Sequence, residues 1–153
     1  MSEPGTSYHR RRVARRVFGR VEKSLAGTLQ PGEELQSAFF AHRYVPGLQL
    51  FLLLGAIGDI VYAIVAKPYY AALTDRRFLL LNGTRFGLVS RPRDPAFTDE
   101  AGSVRIEEPR KFLVRAITTV RAGLHDEVKL AVHRQYWQEL HYMRELVARR
   151  SVG

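Results

Sequence analysis

The sequence predicts a mainly β domain closed by a C-terminal helix: a barrel or sandwich of short strands with a basic N-terminal helix and an apolar helical insertion after the first strand. Three features point there. Short apolar or alternating runs, separated by turn residues, fill the middle of the chain. The final stretch changes to a helical period. One long apolar run, residues 47–66 (GLQLFLLLGAIGDIVYAIVA), stands apart from a chain that is otherwise basic and polar.

At 153 residues the chain suits one core, expected at residues 29–150 behind a flexible tail and helix at 1–28. A hydrophobic share of 46% is that of a folded protein, and the lack of cysteine removes disulfides, thiolate catalysis and cysteine-ligated zinc. No apolar stretch precedes residue 47, so no cleavable secretory signal is expected. Net charge is +9, with eight Lys/Arg against four Asp/Glu in residues 1–45 and sixteen against ten in 67–153. The excess lies on both sides of the apolar run and favours an anionic partner, lipid or nucleic acid, or serves solubility alone.

In chain order, Val13, Val17, Val21 and Leu25 recur every four residues, with Phe18 beside them and Arg11, Arg12, Arg15, Arg16, Arg20 and Lys23 filling the rest. That is an amphipathic helix with a crowded basic face. It can lie on an anionic membrane through Phe18 and these arginines, or dock on its own domain with the arginines in water. Residues 34–44 read as the first strand. Residues 69–73 and 78–81 follow the apolar run, and Asn82-Gly83 predicts a hairpin turn into a strand at 85–89. Residues 90–102, with two prolines, read as a long loop. Residues 104–106, 111–116, 117–122 and 128–133 read as further strands. The last is clearest: Val128, Leu130 and Val132 form one face and Lys129, Ala131 and His133 the other. Tyr136, Leu140, Met143 and Val147 then mark one face of a closing helix, with Gln138, Glu139, Arg144 and Glu145 expected to point away.

Three motifs sharpen this layout. Leu29-Gln30-Pro31-Gly32-Glu33-Glu34 opens the first strand, and Leu73-Thr74-Asp75-Arg76-Arg77-Phe78 forms a strand–turn–strand unit in which Asp75 can accept local backbone bonds. Tyr136-Trp137-Gln138-Glu139-Leu140 starts the closing helix. Over residues 29–150 these resemble bacterial pleckstrin-homology-like (PH-like) domain proteins, of an actinobacterial type with a glycine-containing apolar insertion. The resemblance implies a PH-like barrel and binding of phosphoinositide-like lipids, peptides or partner domains. A shared fold does not carry a shared ligand.

Catalytic chemistry finds little support. His9, His42, His125, His133 and His141 lack the spacing of a metal site, and His125-Asp126-Glu127 falls in an expected turn. Adjacent carboxylates such as Glu107-Glu108 point to opposite sides of an extended chain. There is no Gly-rich phosphate loop and no nucleophile elbow. The expectation is therefore a non-enzymatic protein without cofactor, metal or small-molecule substrate. Arg76, Arg77, Arg85, Arg91 and Arg93 are the candidates for binding a phosphate or anionic headgroup, against the alternative of arginines merely facing water.

Residues 47–66 admit three readings. One helix over 48–66 would be roughly 28 Å long, near the thickness of a bilayer core. Yet flanking strands of one sheet require both ends on the same side, and a hairpin with about nine residues per leg is too short to cross. A segment lying along a membrane or packed on protein is favoured. Gly55, Ala56, Gly58, Asp59 and Ala63 give it a small or polar strip suited to helix association, or to docking on its own domain. The expected function is a membrane-associated PH-like adaptor, peripheral or monotopic at the inner membrane face of the cytoplasm. It would meet anionic lipid and a partner protein or a second copy; nucleic acid is disfavoured. The alternative is a soluble scaffold that forms an oligomer through the apolar segment.

Overall fold

The computed structural model describes residues 12–84, 90–100, 103–122 and 126–152. Helix α1 (Arg12–Leu25) leads into strand β1 (Leu35–Arg43). A 3-10 segment (Leu48–Leu54) and helix α2 (Ala56–Val65) follow. Strands β2 (Pro68–Thr74), β3 (Arg77–Gly83), β4 (Pro92–Glu100), β5 (Val104–Ile106), β6 (Arg110–Phe112), β7 (Arg115–Ala122) and β8 (Asp126–His133) complete the sheet. Helix α3 (Trp137–Val152) ends the chain.

All pairings are antiparallel, in the order β4-β3-β2-β1-β8-β7-β5, with β6 paired to β7. The first four strands form a meander, and the last long strand returns beside the first through His42↔Ala131 and Arg43↔Leu130. The mainly β class, the closing helix, the N-terminal helix and the helical insertion after β1 are all present. Short antiparallel strands closed by one amphipathic helix are the layout implied by the PH-like resemblance.

Both faces of the central strands β2 and β3 are buried in the main core. Phe39, Leu73, Phe78, Leu80, Leu130 and Val132 meet Tyr136, Leu140, Met143 and Val147 of the closing segment. Helix α1 joins the same core with Ala14, Val17, Val21 and Leu25, so its apolar row is already covered by protein. Val13 belongs to the expected row but is exposed, and Ala14 takes its place. In α3, Glu139 is buried rather than turned to water.

Two expectations fail between residues 82 and 100. Asn82 and Gly83 form no turn; both continue β3, opposite Tyr69 and Pro92. Gly83 is needed for space, because a Cβ there would lie 2.6 Å from Ser90 Oγ and 2.9 Å from Pro68 Cβ. The residues read as a loop contain β4, prolines included. Strand β4 is the sheet edge, where a proline without an N–H forfeits no ladder bond on its open side, and the pairing tolerates it with register shifts at Leu80/Leu81 and Leu81/Gly83. The expected strand at 85–89 lies outside the described residues. Residues 111–116, read as one strand, instead straddle the tight turn between β6 and β7.

Candidate functional site

The apolar run does not form one helix. Gly55, at φ 70° and ψ −138°, breaks it into the 3-10 leg and α2, giving a short two-legged hairpin between β1 and β2. Few residues other than glycine adopt that backbone conformation. The legs touch at Gly58, where a Cβ would sit 1.4 Å from the Phe51 carbonyl oxygen. Gly58, expected to serve association between helices, thus serves contact inside the hairpin. Among the described residues, no helix is long and apolar enough to cross a membrane.

The hairpin covers the sheet face that carries His42 and Ala131, at the seam between β1 and β8. Leu52, Tyr62 and Ala66 pack on Ala131, with Val45, Leu48, Phe112 and Val114 around them. The outer faces of the strands provide this seat. Residues two apart on a strand share a face, so Ala131 and His133 of β8 point to the hairpin together, and their pairing partners His42 and Arg115 point with them.

At the centre, Asp59 of α2 meets Arg115 of β7. Arg115 Nε donates to Asp59 Oδ1 at 2.7 Å, and its side chain is only 3% exposed. Arg115 Nη1 lies 3.0 Å from His42 Nδ1, and its guanidinium sits 4.6 Å from the Tyr62 ring centroid. His133 Nε2 lies 3.5 Å from Asp59 Oδ2, and the Tyr62 hydroxyl donates to the Arg43 carbonyl at 3.3 Å. Burial, and then the Arg115 charge, push His42 down to about 3. Burial lowers His133 as well, against the pull of Asp59. Burial raises the Tyr62 hydroxyl. Both histidines are therefore held neutral, and Asp59–Arg115 is the fixed ion pair that fastens the hairpin.

Among the described residues, no group of three or more His, Asp or Glu side chains is arranged to hold a metal ion. Sequence spacing hides this cluster, because its members come from residues 42, 59, 115 and 133. The usable signals are an acid inside an apolar run and an arginine inside Val114-Arg115-Ala116-Ile117, each of which needs a partner when buried.

The side of the hairpin turned away from the sheet is apolar. Leu50, Leu53, Leu54, Ile57, Ile60 and Ile64 are 48–71% exposed, and Phe51 is 42% exposed. On α2, Ile57, Ile60 and Ile64 follow helical spacing on one face while Asp59, Tyr62 and Ala66 follow it on the docked face. In the expected association strip, Ala56 is exposed and Ala63 half-buried, Gly55 forms the break, and Gly58 and Asp59 are committed inward.

The arginines expected to bind phosphate are not gathered at one place. Arg76 and Arg77 sit at the β2–β3 turn, while Arg91 and Arg93 lie at the opposite end of the β3–β4 pair, roughly 20 Å away at strand rise. Arg85 lies outside the described residues. Arg76 donates to Gln30 Oε1 at 3.0 Å and to the Pro31 carbonyl at 3.1 Å. Arg77 donates to Glu33 at 2.9 Å and to the Thr28 carbonyl at 3.0 Å. Thr74 Oγ1 donates to Glu33 at 2.7 Å, and Asp75 Oδ1 accepts from the Glu34 N–H at 2.9 Å. Burial works to raise the Glu33 carboxyl, but the bonds from Arg77, the Gln30 N–H and Thr74 outweigh it and hold it at about 2. The Pro31-Gly32-Glu33 loop and the Thr74–Arg77 turn are thus one structural unit. Arg150 of α3 closes over it, donating to the Thr74 carbonyl at 2.6 Å and to Gln36.

On α1, Arg12, Arg15, Arg16 and Arg20 are exposed, and Phe18 packs against the core. Arg11 lies outside the described residues. Arg20 reaches back to the Tyr70 hydroxyl.

The sequence matches no family model and no curated protein. Among solved structures it is similar to the crystal structure of a pleckstrin homology domain from Shewanella amazonensis, at 13% identity and a TM-score of 0.48, over 89% of this chain and 99% of that one.

Proposed function

We propose that this protein is a non-enzymatic, membrane-associated PH-like domain whose attachment element is the hairpin at residues 48–65. One observation carries the reading: a hairpin fixed to the sheet by an ion pair and an apolar patch turns a second set of apolar side chains, Leu50, Leu53, Leu54, Ile57, Ile60 and Ile64, outward. Exposed apolar surface of that extent marks an interaction site. An in-plane helix pair is long enough to enter the headgroup and upper acyl region of one leaflet, and its two ends stay on the same side as the sheet requires. Helix α1 contributes no apolar anchor in this reading, since its apolar row serves the core; its exposed arginines add electrostatic attraction only.

Vesicle flotation tests the proposal. The wild-type protein is expected to float with vesicles of phosphatidylcholine and phosphatidylglycerol. The double variant I57S/I60S should melt within about 0.5 kcal/mol of wild type, because both side chains are exposed, yet lose most of the binding. A wild-type protein that ignores vesicles and runs as a discrete oligomer without detergent would overturn the proposal in favour of a scaffold that self-associates.

A further inference from the structure

A second exposed apolar side chain stands on a turn that packs against the hairpin. The β6–β7 turn carries Leu113, 54% exposed, between Phe112 and Val114, which pack against the hairpin's inner cluster. Its φ is +55°, and among the described residues no other non-glycine residue has a positive φ. Glycine or asparagine adopts that conformation far more readily than leucine. A turn selected only to join two strands has no reason to hold leucine there, either for its backbone or for its solvent contact.

Charge frames the same surface. Residues 43–46 and 67 at the root of the hairpin, with 110–115 and 129–134 beneath it, include no Asp or Glu. They contribute six exposed cations, Arg43, Lys67, Arg110, Lys111, Lys129 and Arg134; by register Arg110 and Lys129 share the face of Ala131 beneath the hairpin, while Arg43 and Lys111 project from the other face. Aromatic rings seat three of these. Lys67 Nζ lies 5.0 Å from the Tyr69 centroid, Lys111 Nζ 4.8 Å from Trp137, and Lys129 Nζ 5.9 Å from Tyr44. Nearby, Glu107 and Glu127 are engaged by Arg121 at 3.0 and 3.3 Å, Glu108 lines a cleft with Arg110, Lys111 and Lys129, and Asp126 lines one with Arg43 and Lys129. The root is compact, since the Arg43 N–H donates to the Lys67 carbonyl and the Tyr44 N–H to the Lys129 carbonyl, each at 2.8 Å.

We propose that Leu113 and the outward side of the hairpin form one apolar plate that seats in a single leaflet of an anionic bilayer, with Arg110 and Lys129 of the hairpin's sheet face, and Arg134 beside Val114, as a rim at the phosphate layer. This rests on the membrane reading of the hairpin and adds the orientation, the depth and the lipid charge. Long cationic side chains at the border of an apolar face extend to the phosphates while the face enters the acyl region. The rim stops entry at one leaflet.

The test uses the full chain with vesicles of phosphatidylcholine alone and mixed with phosphatidylglycerol. L113N should melt no lower than wild type, because asparagine accepts the positive φ, and should bind both kinds of vesicle roughly tenfold more weakly. R110Q/K129Q should bind the mixed vesicles roughly tenfold more weakly and the neutral ones as wild type does. If wild type binds but both variants match it, the plate with its cationic rim is overturned while the hairpin reading stands. If wild type binds neither vesicle, both readings fall. A discrete complex with an acidic protein, formed in place of vesicle binding, also overturns the lipid assignment.

Discussion

Asp59 has a role that its neighbours in the sequence do not announce. A carboxylate in an apolar run is costly unless it is paired, and Arg115 pairs it at 2.7 Å. Asp59→Asn would leave the nearly buried guanidinium without its counter-charge, with an expected loss of about 2–4 kcal/mol in thermal unfolding. Hydrogen exchange should show the hairpin amides opening first, because the pair is the hairpin's charged tie to β7. The histidines add a pH dependence whose sign is set by their lowered values. His42 is held at about 3 and His133 is lowered as well, against an unfolded value near 6.5, so the unfolded chain binds more protons between those limits. Their contribution is complete above about pH 6.5 and is lost as pH falls. The groups facing them are Asp59 and Tyr62 on α2, Arg115 on β7 and Arg134 after β8. Between pH 7 and 5, His42 alone should withdraw about 2 kcal/mol, and His42→Asn should flatten that part of the denaturation profile.

At the scale of elements, the hairpin depends on contact between its legs and the domain on its motif unit. Gly58→Ala places a methyl inside van der Waals range of the Phe51 carbonyl, so the legs must part. The expected cost is about 1–3 kcal/mol, read by thermal melting, with more apolar surface offered to a hydrophobic dye. In the Glu33–Thr74–Arg77 unit, Glu33→Gln should cost about 1–3 kcal/mol at neutral pH. Glu33 is lowered from 4.5 to about 2, so its contribution is present above pH 4.5 and disappears as pH falls toward 2; the variant should lose that acid sensitivity. The motifs around this unit were readable because short turns need particular residues at fixed places. That Arg76 and Arg77 are spent inside the domain was not readable, since their acceptors lie 44 to 49 residues away. Strand β4 shows the same limit: its prolines argue against a strand unless its position at the sheet edge is known.

For the whole molecule, the core and the attachment surface are separate parts. The strands with α1 and α3 form the main core, and the hairpin, seated on Ala131, turns its apolar surface outward. This division predicts how binding responds to salt. At 1 M salt the screening length falls to about 3 Å, which weakens the contribution of the cationic rim but leaves apolar burial in place. Vesicle binding should therefore fall severalfold and persist, and complete release by salt would argue against apolar seating. Replacing Arg12, Arg15 and Arg16 together with Gln should leave melting within about 1 kcal/mol, since these exposed side chains lie off the packed row of α1.

The sequence by itself determined the class of fold, the strands with alternating or continuous apolar residues, and the closing helix with its buried row. These follow from local periodicity and turn chemistry, which neighbouring residues encode. It also determined that residues 47–66 could not be an ordinary turn, and the requirement that both ends meet one sheet already disfavoured a span. The tertiary structure decided the rest. It divided that run at Gly55, paired Asp59 with Arg115, brought His42 and His133 beside them, bonded Arg76 and Arg77 to the loop before β1, and packed Phe112 and Val114 against the hairpin. Each of these depends on strand register across distant residues, and on which face of a strand a second element covers, quantities that no local pattern contains.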